Sequence, residues 1–551
     1  MIALKTASGG DTAWVLICAG LVLFMMPGLA LFYAGMVRRR NTLVMLQQNL
    51  VPLGVISITW VLVGYAIAFG PDTGQGLLGN LELLGLHNLA VAPAPAIHVV
   101  SPGVIIPTLA FVVYQMMFAI ITPALSTGAT ADRLKFAGWV LFLAIWSIIV
   151  YAPVAHWLFC PRGWLALRGA QDWAGGIVVH TSAGAAALAL LLVVGRRRNW
   201  PKAASMPESL PLTILGAGIL WFGWFGFNAG DGLQANDVAA QAVLNTQVAA
   251  AAGILIWLLV EKIKDGHSTV LGTVTGAVAG LATITPCAGY VNTLSAIIIG
   301  ALAGLICQLA LKAKYVFRFD DALDVVAVHF VGGVFGSLLL GLFGESVINN
   351  KGRNGLFFGG GMGLLGNQVL ALLVVMVFSF CLTWLIAMLI EKTIGLRVSP
   401  AAEDRLDQIQ QGIAAYHLDP ASSNPGPGTP HDGARVSRQE TNIQPPKIPQ
   451  GKVKLLTEFL DVANPEEVKQ ALLDAGVLAM VVSESHVYTG PKESQVIRGY
   501  RRDLLFPERL RLEVFVPEEH IATVLQVFER FPPETRSGFV QVAETIEATS
   551  S

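Results

Sequence analysis

"DWAGGIVVHTSAG", residues 172–184, reads as the opening of a hydrophobic helix with a histidine inside it. Between residues 174 and 184 no Lys, Arg, Asp or Glu is present to pair with His180. The stretch begins an apolar run over 173–195. A run of roughly 20 apolar residues is about the length needed to cross a hydrocarbon core of about 30 Å. Ten further runs share that character: 12–37, 44–70, 104–130, 137–158, 211–231, 238–260, 268–286, 293–311, 322–344 and 365–390. With 54% hydrophobic and 13% charged residues, the 551-residue chain is far more apolar than a soluble protein of its size. The pattern predicts an all-α membrane protein of eleven transmembrane helices, in contact with lipid.

The basic residues set the orientation. Loops on one side carry Arg38–Arg40, Arg133, Lys135, Arg196–Arg198, Lys202, Lys262, Lys264, Lys312, Lys314, Arg318, Lys392 and Arg397. The other side holds Lys5, Arg162, Arg168, Lys351 and Arg353. By the positive-inside rule the first side is cytoplasmic, with the N-terminus outside and the C-terminus inside. The start "MIALKTASGGDTAW" lacks the order of a removable signal peptide. The five cysteines show no paired spacing, which argues against a disulfide framework or a Cys-rich metal site.

The chain reads in three parts: a membrane domain over 1–397, a tail and Pro/Gly/Ser-rich linker over 398–451, and a small soluble domain over 452–551. In the last part strands and helices alternate as βαββαβ, the ferredoxin-like order. "NPEEVKQALLDAG" supplies its first helix, with Asn464 as N-cap and Gly476 as stop. Within the membrane domain "GGIVVH" resembles "DVVAVH" (324–329), and "LFYAGM" resembles "GFNAGD" (226–231). Two five-helix halves of opposite topology would produce this echo.

That echo gives His180 a partner. It lies eight residues after Asp172 in a span running inward, and His329 lies eight after Asp321 in a span running outward. At 1.5 Å per residue each is about 12 Å from its own face, so both reach the middle of the bilayer. A satisfied core histidine bonded to a carbonyl is the plain alternative for either one alone. Two at equal depth point instead to a path or cavity. Gly175, Gly176, Ala183, Gly184, Gly332, Gly333 and Gly336 let the two helices approach closely. Without a nearby carboxylate the pair stays neutral, because desolvation disfavours the charged form. It can then exchange hydrogen bonds or pass a proton. Two histidines are too few for a zinc site, and no nucleophile–base arrangement marks an enzyme.

These stretches resemble the ammonium transporter family (Amt/Mep/Rh) over roughly residues 10–397. The likeness rests on "DWAGGIVVHTSAG", "WFGWFGFNAG" (221–230), "YQMMFAIITPAL" (114–125), "GLALFYAG" (28–35) and "DDALDVVAVHFVGG" (320–333). It implies inverted five-helix repeats, a homotrimer with one pore per protomer, and His180 with His329 as paired pore histidines. It also implies Phe118 and Phe227 as the stacked rings of the outer gate and Asp172 as a supporting carboxylate. Where the family has an outer tryptophan, "YAPVAHWLFCPRGW" offers Phe159, with Trp157 two positions earlier. Where the family has a small polar residue, Asp231 stands four residues beyond Phe227, about 6 Å along a helix. Asp231, Phe159 and Trp157 are therefore the expected ammonium-recruiting groups. For Asp231 a solvent-facing helix end is the alternative.

Residues 452–545 resemble the PII signalling proteins, through "MVVSE" (480–484) and "RGYRRDLLFPERLRLEVFV" (498–516). This resemblance implies nitrogen regulation, a trimeric arrangement, an adenine nucleotide as effector and Arg498 as the loop arginine that plugs the pore exit. The family's glycine-rich phosphate loop is replaced by "PPETRSGFVQV". A smaller nucleotide held partly by Arg501, Arg502 or Arg536 is one expectation, and a structural clamp with solvated arginines is the other. No cofactor is required for the transport itself, and no nucleic-acid partner is expected. The overall expectation is ammonium transport across the cell membrane, regulated by the fused domain. The alternatives are an ammonium receptor with little flux and a neutral-gas channel of the Rh type.

Overall fold

A computed structural model describes residues 7–87, 89, 106–198, 200–201, 207–413, 415, 453–460, 465–477, 479–486, 493–497, 500–504, 508–530 and 543–546. Among them, 10 helices are long and apolar enough to cross a membrane. These are α1 (Gly9–Ala34), α2 (Arg39–Phe69), α3 (Thr108–Gly128), α4 (Phe136–Arg168), α5 (Gly176–Val194), α6 (Leu210–Gly232), α7 (Asp237–Asp265), α9 (Thr293–Val316), α10 (Val326–Phe343) and α11 (Gly363–Thr393). Between α7 and α9 lies a shorter apolar helix, α8 (Val270–Ile284). The protein is a mostly helical, multi-pass membrane protein.

The run expected over 268–286 yields only the 15 residues of α8. Thr269 starts it by accepting from the Gly272 amide, and Pro286, which has no N–H, stands just past its end. Fifteen residues rise about 22 Å, short of a full hydrocarbon core.

α5 and α10 cross at the centre of the bundle. A Cβ on Gly184 would lie 2.3 Å from the Phe330 Cβ, and one on Gly333 would lie 2.6 Å from the Gly176 carbonyl oxygen. Each glycine stands four residues after the histidine of its own helix. Both histidines sit in short wider-wound segments, Gly176–Thr181 and Val326–Phe330, where the backbone bonds run i to i+5.

One end of the bundle is tied by buried charge. Arg133 is fully buried and faces Asp320 at 3.5 Å. Arg197 holds both oxygens of Asp320, at 2.7 and 2.9 Å. The tail beyond α11 packs on the same end through α12 (Leu406–Gln411). Asp407 accepts the Leu43 and Val44 amides at 3.1 and 2.9 Å, satisfying N–H groups at the start of a helix that otherwise lack partners. Gln410 donates to the Leu134 carbonyl. Tail residues within 398–413 thus pack against the membrane helices, and the chain divides into two compact units, Met1–Pro420 and Ala421–Ser551.

In the second unit, β1 (Val453–Leu460), α13 (Pro465–Asp474), β2 (Ala479–His486), β5 (Glu508–Pro517), α14 (Ile521–Glu529) and β6 (Ala543–Ile546) follow in the order βαββαβ. A hairpin of β3 (Glu493–Ile497) and β4 (Tyr500–Leu504) is inserted after β2, in addition to the expected βαββαβ order. The four-stranded sheet has the order β2-β5-β1-β6, with every neighbour antiparallel. Leu512, Val514 and Val516 alternate along β5 and pack with Val468 and Leu472 of α13 and Val524, Val527 and Phe528 of α14.

Candidate functional site

The site begins at the N-terminus of α5. Asp172 accepts four backbone amides with its two oxygens: Gly175 at 3.1 Å, Gly176 at 2.6 Å, Ile177 at 2.8 Å and Val178 at 2.9 Å. Gly175 takes a positive φ of 104°, which a residue with a side chain would resist. Burial pushes the Asp172 carboxyl up to about 6, and the four amide bonds only partly offset this. Asp321 does the same for α10, accepting from Val325 at 3.1 Å and Val326 at 2.7 Å. Burial raises its carboxyl as well, followed by the neighbouring Asp324 charge.

Eight residues on from each aspartate the two histidines meet. His180 Nδ1 and His329 Nδ1 are 3.2 Å apart, with ring planes within 14° of parallel. Two neutral rings can share that contact only if one Nδ1 carries a hydrogen and the other accepts it. Their Nε2 atoms must then differ. One ring has a bare lone pair there and the other an N–H. Among the described residues His180 Nε2 has no hydrogen-bond partner. Both rings line a cavity of about 10 Å³, walled by Leu29, Ile121, Leu125, Trp224, Phe227 and Val278 among others. That volume is about the threshold for one water-sized molecule.

Phe227, which lines the cavity, packs against Phe118 with ring centroids 4.4 Å apart. Beyond them opens a vestibule of about 860 Å³ lined by Phe159, Asp172, Trp173, Asp231 and Lys351 among others. Phe159 stands edge-on to Phe118 at 6.2 Å. The features adjoin one another: Phe159 of the vestibule packs on Phe118, Phe118 packs on Phe227, and Phe227 lines the small cavity that holds the two imidazoles.

Residues 13–416 match the sequence profile of the Ammonium Transporter Family. The chain belongs to the ammonium transporter family. It is 44% identical over 440 residues to an ammonium transporter of Mycobacterium bovis, covering 76% of this chain and 92% of that one. Its structure is similar to Mep2 of Saccharomyces cerevisiae, with a TM-score of 0.67, 32% identity and coverage of 72% and 91%. It is also similar to a structure described as a sensor Amt protein, with a TM-score of 0.65, 30% identity and coverage of 72% and 96%. This is a family of transporters, not a class of enzymes.

His180, His329 and Phe227 line the cavity, Asp172, Asp231 and Phe159 line the vestibule, and Phe118 packs against both Phe227 and Phe159. Trp157 lines neither. It is buried, its indole donates to the Leu77 carbonyl at 2.8 Å, and its ring packs against Phe378 at 4.6 Å. Residues two apart on a helix point about 200° apart, so a helix that turns Phe159 to the vestibule turns Trp157 away from it. Trp224 was not singled out from the sequence. Its ring lies 5.6 Å from His180, within 19° of parallel, and its N–H is fixed by Thr285 Oγ1 at 3.0 Å. The i, i+3 spacing from Phe227 was the available signal.

Arg498 and Arg536 lie outside the described residues. Arg501 and Arg502 fall in β4, paired in register with Val496 and Gln495 of β3.

Proposed function

We propose that this chain transports ammonium through a pore in each protomer, and that the His180–His329 pair handles the proton. The observation that carries the reading is the 3.2 Å contact of the two Nδ1 atoms beside a cavity with room for one small molecule. Asp231 and Phe159 draw the cation into the vestibule, through charge and through an aromatic face. Phe118 and Phe227 part to admit it. A bare cation is costly in the dry segment beyond, so ammonium gives up its proton there. The bare Nε2 of one ring accepts a proton, and the bridging hydrogen shifts across, so that the second ring releases one from its own Nε2.

The family pattern supports eleven spans arranged as inverted repeats, a homotrimer, and insertion in the cell membrane with the second unit on the cytoplasmic side. The matched placement of Asp172, His180 and Gly184 with Asp321, His329 and Gly333 supports the repeat. The sheet order β2-β5-β1-β6 is that of a ferredoxin-like domain. That fold agrees with the PII resemblance, and on that resemblance we propose a regulatory role for this unit with a small adenine nucleotide as effector.

The test is ammonium-evoked current from the full chain in liposomes on a solid support. A saturable current that His180→Ala with His329→Ala abolishes supports transport through the pair. A second reading, an ammonium receptor, draws on the likeness to the sensor Amt structure and on the presence of a second folded unit. Ammonium binding without wild-type current would favour it and sink the transport reading.

A further inference from the structure

His180 and His329 are carried by the same uncommon backbone feature. In each helix the amide two residues past the histidine donates to the carbonyl three residues before it: Ser182 to Ile177 in α5, and Val331 to Val326 in α10. A wide turn of this kind holds one residue more than ordinary winding, and such turns recur at functional sites. Returning one to ordinary winding would rotate the rest of the helix by about 100° and shift it by about 1.5 Å. Either change would move an imidazole out of the 3.2 Å contact. The contact therefore depends on how firmly each turn is held.

The two turns are held differently. Thr181 is fully buried and donates its hydroxyl to the Gly176 carbonyl at 2.9 Å. A helical threonine ordinarily reaches the carbonyl three or four residues back. This one reaches five back, across the wide turn. Ser182 beside it makes the ordinary bonds, to the Val178 and Val179 carbonyls. The position in α10 that corresponds to Thr181 is Phe330, which has no hydroxyl. The rings differ in the same sense. His180 stacks on Trp224 at 5.6 Å, and Thr285 fixes that indole at 3.0 Å. Among the described residues, His180 is the one ring stacked on His329.

We propose that Thr181 is a positioning residue: its hydroxyl locks the wide turn of α5 and makes His180 the stationary ring of the pair, while His329 is the ring that moves. This rests on the reading that the pair handles the proton. The contact then opens and closes by motion of one imidazole, and the fixed ring sets the place to which the other returns.

The experiment uses the full chain in lipid vesicles and has two readouts. The first is the mobility of each imidazole, from solid-state NMR of the histidine ring nitrogens, with the two signals assigned by their loss in His180→Ala and His329→Ala. In wild type the His180 ring should be the more ordered of the two. Thr181→Val removes the hydroxyl and should make the His180 ring as mobile as that of His329. The second readout is ammonium-evoked current. Thr181→Val should lower the maximal current about tenfold, the upper end of what one hydrogen bond contributes, with the half-saturating concentration kept within about twofold because capture precedes the pair. Thr181→Ser keeps the donor and should restore both ring order and current. Equal mobility of the two rings in wild type would overturn the inference, as would a Thr181→Ser protein that behaves like Thr181→Val. Wild-type ring order and current in Thr181→Val would overturn it while leaving transport intact. If wild type carries no current, transport fails, and the ring mobilities of the same proteins still decide whether Thr181 holds His180. If Thr181→Val does not fold, the comparison of the two rings in wild type decides: a more ordered His180 supports the inference and equal mobility overturns it.

Discussion

His180 and His329 touch through equivalent atoms: Nδ1 faces Nδ1 at 3.2 Å across 149 residues of sequence. The contact couples the two rings, because a hydrogen bridging the Nδ1 atoms fixes the tautomer of each, and under the proposed function they handle the proton as one unit. Removing either ring should cost nearly as much as removing both. We expect His180→Ala, His329→Ala and the double variant each to lower the ammonium-evoked current by about 10²-fold or more, without multiplying. Two independent, multiplying losses would mean that the rings act separately.

The crossing of α5 and α10 depends on two glycines. Gly333→Ala would press a methyl against the Gly176 carbonyl oxygen and the His180 Cβ, at 2.6 and 2.9 Å. Gly184→Ala would meet the Phe330 Cβ at 2.3 Å. Each should destabilise the protein by about 1–3 kcal/mol, read as a lower melting temperature in detergent. Gly218→Ala, with nothing within 4 Å, is the control and should leave the melting temperature near wild type.

Asp320 links buried charges at the opposite end of the bundle. Burial alone would raise its carboxyl, but Arg197 and then Arg133 outweigh this and hold it below the ordinary value of 3.8. The folded state thus binds fewer protons than the unfolded chain between the lowered value and 3.8. Its stabilisation is present above 3.8 and is lost as pH falls through the lowered value. Asp320→Asn leaves Arg133 and Arg197 without their shared carboxylate and should cost about 3–5 kcal/mol near neutral pH. Thermal melts from about pH 7 down to about pH 3 should show a smaller acid-dependent loss in the variant than in wild type.

Asp172 behaves in the opposite sense, with its carboxyl raised to about 6 by burial. Below that pH it gains a proton, and one oxygen stops being a pure acceptor for the α5 amides. The wild-type current should fall as the vestibule-side pH is lowered through about 6. Asp172→Asn should carry less current at every pH and lose this step. An identical pH profile in the two proteins would show that Asp172 does not set it.

The helical membrane architecture was legible in the sequence, and the matched offsets of His180 from Asp172 and of His329 from Asp321 pointed to a pair, whereas Phe118 and Phe227 as stacked rings came only with the family resemblance. Run length and an eight-residue offset are local quantities, and local spacing fixes position along a helix axis. Rotation about that axis and the way two helices cross are not local. They decided that His180 and His329 face each other through Nδ1, that Phe159 looks into the vestibule while Trp157 packs beneath it, and that Trp224 stacks on His180. These relationships arise when distant segments are packed together, and the physical reason is steric: a Cβ on Gly184 or Gly333 would clash at the crossing, and their absence lets α5 and α10 bring two imidazoles into contact.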